Sequence, residues 1–152
     1  MAKVKQADIA RVKAMGFLWN RGTEEFSGRV LSGNGVFTAK EMEKIVECAE
    51  KYGNGNMTMT SRLTIELPGI AYENIEAAQA LVAEAGLQFG GTGAKIRPVT
   101  SCKGTTCVYG NFDTQALAQE IHEKYFLGWA DVKLPHKFKI AVGGCPNNCV
   151  KP

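Results

Sequence analysis

The chain contains five cysteines, and four of them come in two close pairs: Cys102 and Cys107 with four residues between them, Cys145 and Cys149 with three. Two thiol pairs far apart in sequence make one four-thiolate site if the fold brings their loops together, and zinc and iron–sulfur clusters both accept that ligand set. Pro146 directly follows Cys145, as a proline often follows a cluster ligand. Gly104, Gly143 and Gly144 lie in the same loops, where they allow close backbone approach and leave N–H groups free to reach sulfur. Both details favour a cluster, but a zinc site and buried thiols without a ligand remain open at this point. Cys48 stands alone in an amphipathic segment and reads as a small core side chain.

Cations accompany the cysteine segments. Lys137 and Lys139 flank Phe138 just before the second pair, and Arg97 precedes the first. In a strand, residues two apart share a face, so both lysines look one way and Phe138 the other. Like charges side by side repel, and taken alone this pair reads as a solvated face. Arg62 poses the same choice in an otherwise neutral stretch. Three of these four cations adjoin cysteine-bearing segments. If they converged, they would suit a small anion or a carboxylate-rich cofactor.

The rest of the chain must position these groups. Its 152 residues fit one domain or two small ones, and 45% hydrophobic with 22% charged residues is ordinary for a globular protein. A net charge of +3 falls short of a dedicated nucleic-acid binder. No apolar run approaches a membrane span, and the N-terminus lacks the apolar core of a signal peptide, which predicts a cytoplasmic protein with reduced thiols.

Residues 1–15 have helical spacing. Residues 25–31 read as a strand, closed by the turn Ser32-Gly33-Asn34-Gly35. Thr38 and Glu41 form a capping-box pattern, opening a helix that ends near Gly53. Residues 56–67 read as one or two strands with a break near Ser61, ended by Pro68-Gly69. Residues 72–85 form a second helix stopped by Gly86, and 87–89 a short strand. This order predicts an α+β, ferredoxin-like antiparallel sheet with two helices. The glycine-rich joint 90–93 separates residues 1–93 from a second α+β region, 94–152. There 94–100 are extended, Asp113 caps a helix to about Phe126, and a strand over 137–142 leads into the second cysteine pair.

Taken together, these segments resemble the sirohaem and [4Fe–4S] sulfite and nitrite reductases over about residues 16–152. The first part is similar to the family's ferredoxin-like half domain in Arg29-Val30, the Gly35 turn, the capped helix, Lys51-Tyr52-Gly53 and Thr60-Ser61-Arg62. The second is similar to the start of its sirohaem and iron–sulfur domain. It has Arg97, then Cys-Lys-Gly-Thr-Thr-Cys, Leu-Pro-His-Lys-Phe-Lys and Gly-Cys-Pro-Asn-Asn-Cys.

The resemblance implies that Cys102, Cys107, Cys145 and Cys149 hold a [4Fe–4S] cluster, with Cys149 also bridging to sirohaem iron. Arg62, Arg97, Lys137 and Lys139 match the cage for the substrate anion, and Arg29 and Thr60 match cofactor-binding positions. Sulfite, ahead of nitrite, is the implied substrate of a six-electron reduction. An electron-donor protein or module would supply the electrons, and a second copy or related subunit would be the partner.

The chain departs from the family in three ways. Four residues rather than five separate the first cysteines. One half domain is present where the family pairs two. The family's second domain extends past the last cysteine, so the chain is expected to be a fragment of a longer protein, inactive alone and able to lack both cofactors. A non-catalytic iron–sulfur carrier or sirohaem-handling protein is the alternative, and a structural zinc protein a more distant one.

Overall fold

A computed structural model describes residues 4–151 as two compact units. The first runs to Gly93, except for the turn Gly33–Gly35, which groups with the second; the second begins at Ala94.

The first unit is built on an antiparallel sheet in the order β1 (Phe17–Trp19), β2 (Glu25–Val30), β4 (Ile65–Ala71), β3 (Thr58–Met59). Helices α1 (Gln6–Ala14), α2 (Ala39–Tyr52) and α3 (Ile75–Ala83) complete it. The capping box forms as expected: the Glu41 N–H donates to Thr38 Oγ1 at 3.2 Å, and the Thr38 N–H to Glu41 Oε2 at 2.6 Å. It satisfies two N–H groups that the first helical turn leaves without partners. Ile45, Cys48 and Ala49 of α2 and Ile75, Ala78 and Val82 of α3 share a core with Phe26, Val30, Leu67 and Ile70 of the sheet. Each large side chain withdrawn from water there contributes about 1.5–3 kcal/mol.

Several sequence expectations are revised in this unit. The helix expected over 1–15 is observed as α1, and Met1–Lys3 lie outside the described residues. Strand β1 was not anticipated: Phe-Leu-Trp is too short to display a period. Because β1 pairs with Phe26–Gly28, little of that edge of β2 is left for residues 87–89. The expected strand there shrinks to one bridge, Val30 with Phe89. Pro68-Gly69 does not end β4, which continues to Ala71. The register shifts between Phe26 and Gly28, so Pro68 and Gly69 lie in a bulge, where a proline costs no ladder bond. Gly69 has φ +85°, a conformation suited to glycine.

Gly28 is required for a different reason. A Cβ there would lie 2.6 Å from the Phe89 ring and 2.8 Å from the Phe17 ring, and these two rings pack 4.6 Å apart across it.

In the second unit, β5 (Thr100–Ser101) pairs in parallel with β6 (Ala141–Val142). Hydrogen bonds extend the pairing on both sides of this short ladder. The Arg97 N–H donates to the Phe138 carbonyl at 2.8 Å, and the Cys102 N–H to the Val142 carbonyl at 3.1 Å. The strand expected over 137–142 is therefore extended chain, regular only at its end. Asp113 caps α4 (Thr114–Ile121), accepting from the Ala116 N–H at 2.9 Å. The helix then widens into a π turn, His122–Leu127, closed by the Gly128 N–H on the Glu123 carbonyl at 2.9 Å. Val99, Ala118 and Val142, with Ile121 and Ile140, form a small core. Among the described residues, no helix is long and apolar enough to cross a membrane.

Candidate functional site: two cysteine loops and the cations beside them

The β5–β6 pairing brings the two cysteine loops side by side. Cys102 immediately follows β5, and Gly143-Gly144-Cys145 follow β6. The Gly144 N–H donates to Cys102 Sγ at 3.3 Å, and the Gly104 N–H reaches the same sulfur at 3.2 Å. The Asn111 N–H donates to the Gly144 carbonyl at 3.1 Å, tying the far end of the first loop to the second. The Gly144 N–H pulls the Cys102 thiol below its ordinary pKa, helped by the Gly104 N–H and the Thr114 hydroxyl; burial pushes the other way. A thiol so placed favours its thiolate, the form that binds metal.

All five cysteines are free thiols. Cys102, Cys107 and Cys145 are half-buried and Cys149 is exposed. Among the described residues, no three His, Cys, Asp or Glu groups are gathered closely enough to hold a metal ion. The structure thus juxtaposes the loops without closing four sulfurs around one point. Cys48 lies in the first core, its thiol pushed up to about 11 mainly by burial, and the nearby Glu47 charge adds to the shift.

Arg97, Lys137 and Lys139 belong to the second unit. Ile96 bridges Phe138 in parallel, and both line an apolar groove of about 370 Å³ with Tyr125, Trp129, Leu134 and Ile140. Side chains alternate along extended chain, so Arg97, Lys137 and Lys139 turn to the opposite face of that pairing. Both lysines are exposed and Arg97 is half-buried. Arg29, Thr60 and Arg62 belong to the first unit. Arg29 Nε donates to Glu66 Oε2 at 2.6 Å. Thr60 shapes the turn that presents Arg62: its Oγ1 accepts from the N–H groups of Arg62 at 3.3 Å and Thr64 at 3.2 Å, and Leu63 takes φ +60°.

Sequence reasoning missed the residues that support the first loop. Thr105 Oγ1 donates to Asp113 Oδ1 at 2.6 Å and accepts from the Gln115 N–H at 3.1 Å. Thr114 Oγ1 donates to the Cys102 carbonyl at 3.1 Å. The Asp113 cap was legible; the threonines carry no signal beyond their place beside it.

The donor set fits an iron–sulfur group in chemistry, with thiolates on glycine-rich loops and N–H groups aimed at sulfur. Among the described residues, two buried polar atoms of the second unit, Ser101 Oγ and Asn34 Oδ1, have no hydrogen-bond partner.

Comparison with known proteins agrees. Residues 20–85 match the nitrite/sulfite reductase ferredoxin-like half domain, and residues 92–152 the nitrite and sulphite reductase 4Fe-4S domain. The chain belongs to the nitrite and sulfite reductase family. It is 35% identical over 115 residues to an uncharacterised protein of Methanocaldococcus jannaschii, covering 76% of this chain and 40% of that one. It is also 35% identical over 119 residues to the coenzyme F420-dependent sulfite reductase of the same organism, covering 78% of this chain and 18% of the relative. Among solved structures, dissimilatory sulfite reductase I superposes with a TM-score of 0.73 at 26% identity, over 83% of this chain and 30% of the other. The chain therefore spans less than half the length of these relatives.

Proposed function

We propose that this chain is part of a sulfite reductase, with nitrite as the second candidate oxyanion, and that Cys102, Cys107, Cys145 and Cys149 hold a [4Fe–4S] cluster, with Cys149 also bridging to sirohaem. The observation that carries this reading is the delivery of two N–H groups, from two separate loops, onto the single sulfur of Cys102. Sulfite is placed first because a sulfite reductase matches at 35% identity over 119 residues, whereas nitrite reductases match over the same length at 30% and 32%.

When bound, sirohaem and the cluster would supply the iron and the electron path for a six-electron reduction. The chain's own residues would bind the anion and deliver protons. Arg62, Arg97, Lys137 and Lys139 are the proposed anion-binding groups. Removal of oxygen as water consumes protons, and the Lys137 and Lys139 Nζ atoms are the proposed donors. Arg29 and Thr60 are the proposed cofactor-side groups; for Arg29 this means exchanging the Glu66 carboxylate for one on the cofactor. An electron-donor protein or module and a second copy or related subunit are the proposed partners. The free thiols suit a reducing compartment, the cytoplasm.

Anaerobic reconstitution of the full-length protein that carries this chain, with iron, sulfide and sirohaem, tests the reading. Haem bands with a cluster shoulder are expected, and protein carrying neither iron nor acid-labile sulfide would overturn it. In the loaded protein supplied with a donor, Lys137→Ala or Lys139→Ala should cut sulfite reduction about 10²–10³-fold at unchanged iron content. Activity equal to the parent protein would remove the lysines from the anion site.

A further inference from the structure

We propose that Thr114 is the positioning residue of the cysteine site, a clamp that holds the Cys102 loop and the loop entering Cys145 at the spacing a bound cluster needs. This rests on the cluster reading above. Thr114 is the first residue of α4 and is fully buried. Its hydroxyl donates to the carbonyl of Cys102 at 3.1 Å. Its methyl faces the two glycines that serve the same cysteine: a Cβ added to Gly104 would come within 2.6 Å of Thr114 Cγ2, and one added to Gly144 within 2.8 Å. Those glycines donate their N–H groups to Cys102 Sγ. One side chain therefore fixes the backbone of the cysteine and the approach of both N–H donors to its sulfur.

The side chain's two branches divide the work. Serine would keep the hydroxyl and lose the methyl; valine would keep the methyl and lose the donor. The post on which Thr114 stands is itself braced. Thr105 bonds the Asp113 carboxylate and the Gln115 N–H, which locks the first turn of α4 against the 3₁₀ turn Gly104–Thr106. Hydrogen bonds to cluster sulfur favour the more negatively charged, reduced state, so they help set the potential. Loosening the clamp should lower the potential as well as speed cluster loss.

The test uses the full-length protein that carries this chain, reconstituted anaerobically with iron and sulfide, as parent protein and as Thr114→Ala, Thr114→Ser and Thr114→Val. Midpoint potential is read by redox titration, and cluster release by transfer of iron to a chelator. Thr114→Ala should release its cluster about tenfold faster, the upper end of what one lost hydrogen bond to a backbone carbonyl is worth. Its potential should fall, and the serine and valine variants should each recover part of both losses. In cluster-free protein the Gly104 and Gly144 amide protons should exchange faster in Thr114→Ala than in the parent. If Thr114→Ala does not fold by circular dichroism, the serine and valine variants decide by the same two readouts. Potentials and release rates equal to the parent's in every folded variant would overturn the clamp while leaving the cluster reading intact. A parent protein that takes up neither iron nor sulfide would overturn both.

Discussion

The two units of this chain are held together by different means. In the first, Phe17, Phe26, Ile45, Ile65, Leu67 and Ile70 are each at most 1% exposed, and burial does the folding. In the second, the buried apolar residues among those described are Ile96, Val99, Ala118 and Val142, while Phe138 is 57% exposed and Trp129 45%. Its order comes from backbone pairing, side-chain caps and glycine loops. The first unit is organised around apolar side chains it already owns, the second around polar groups that point at sulfur. A region that must accept a bound group keeps donors directed and loops open, and gives up the stability that filling that space would bring.

The sharpest way to break this contrast is to truncate one aromatic in each unit. Phe26→Ala should destabilise the protein by about 3–5 kcal/mol in urea melts. Phe138→Ala should stay within about 0.5 kcal/mol of the parent, as exposed positions do. Similar losses for both would erase the distinction. Iron and sulfide should stabilise the second unit selectively, because a ligand bound only by folded protein raises its stability by mass action. Amide exchange should then slow at Cys102–Asn111 and 143–149 and stay unchanged in β2 and β4; uniform slowing would mean the units respond as one.

Gly28→Ala should cost about 1–3 kcal/mol in thermal or urea melts, since its Cβ would intrude between the Phe17 and Phe89 rings. Thr38→Ala should cost about 1 kcal/mol through loss of the α2 cap.

The smallest expected effect separates the units by pH. Burial pushes His122 below its ordinary value of 6.5, only partly opposed by Glu123. The unfolded chain then takes up a proton before the folded one does. The contribution of this residue is complete above about pH 6.5 and is lost as the pH falls from there through the lowered folded value. His122→Phe should flatten that slope in stability-versus-pH curves, and an unchanged slope would assign it to other groups.

Much of the first unit was legible. The Thr38–Glu41 cap, the α2 stripe and the Gly86 stop are local patterns of side chain and spacing, and local chemistry decides them. The course of β4 through Pro68-Gly69 was not, because whether a proline ends a strand depends on a partner that can absorb it as a bulge. Likewise the shrinkage of 87–89 to one bridge follows from β1 occupying the rest of the β2 edge. In the candidate site, cysteine spacing and the Lys137–Lys139 alternation were visible. The choice of Cys102 as the sulfur that receives two N–H groups was not. Nor was the pairing of Arg29 with Glu66, which is 37 residues away.

Residue types and short-range order alone determined the family, the α+β class and the thiol and cation inventory, because each is written in contiguous motifs. Which groups meet was decided only by tertiary structure. A parallel pairing of two two-residue strands sets Gly144 beside Cys102, and one buried threonine sits against both glycines that serve it. Contacts of that kind depend on the register between distant segments, and a change of one residue in that register would move every one of them.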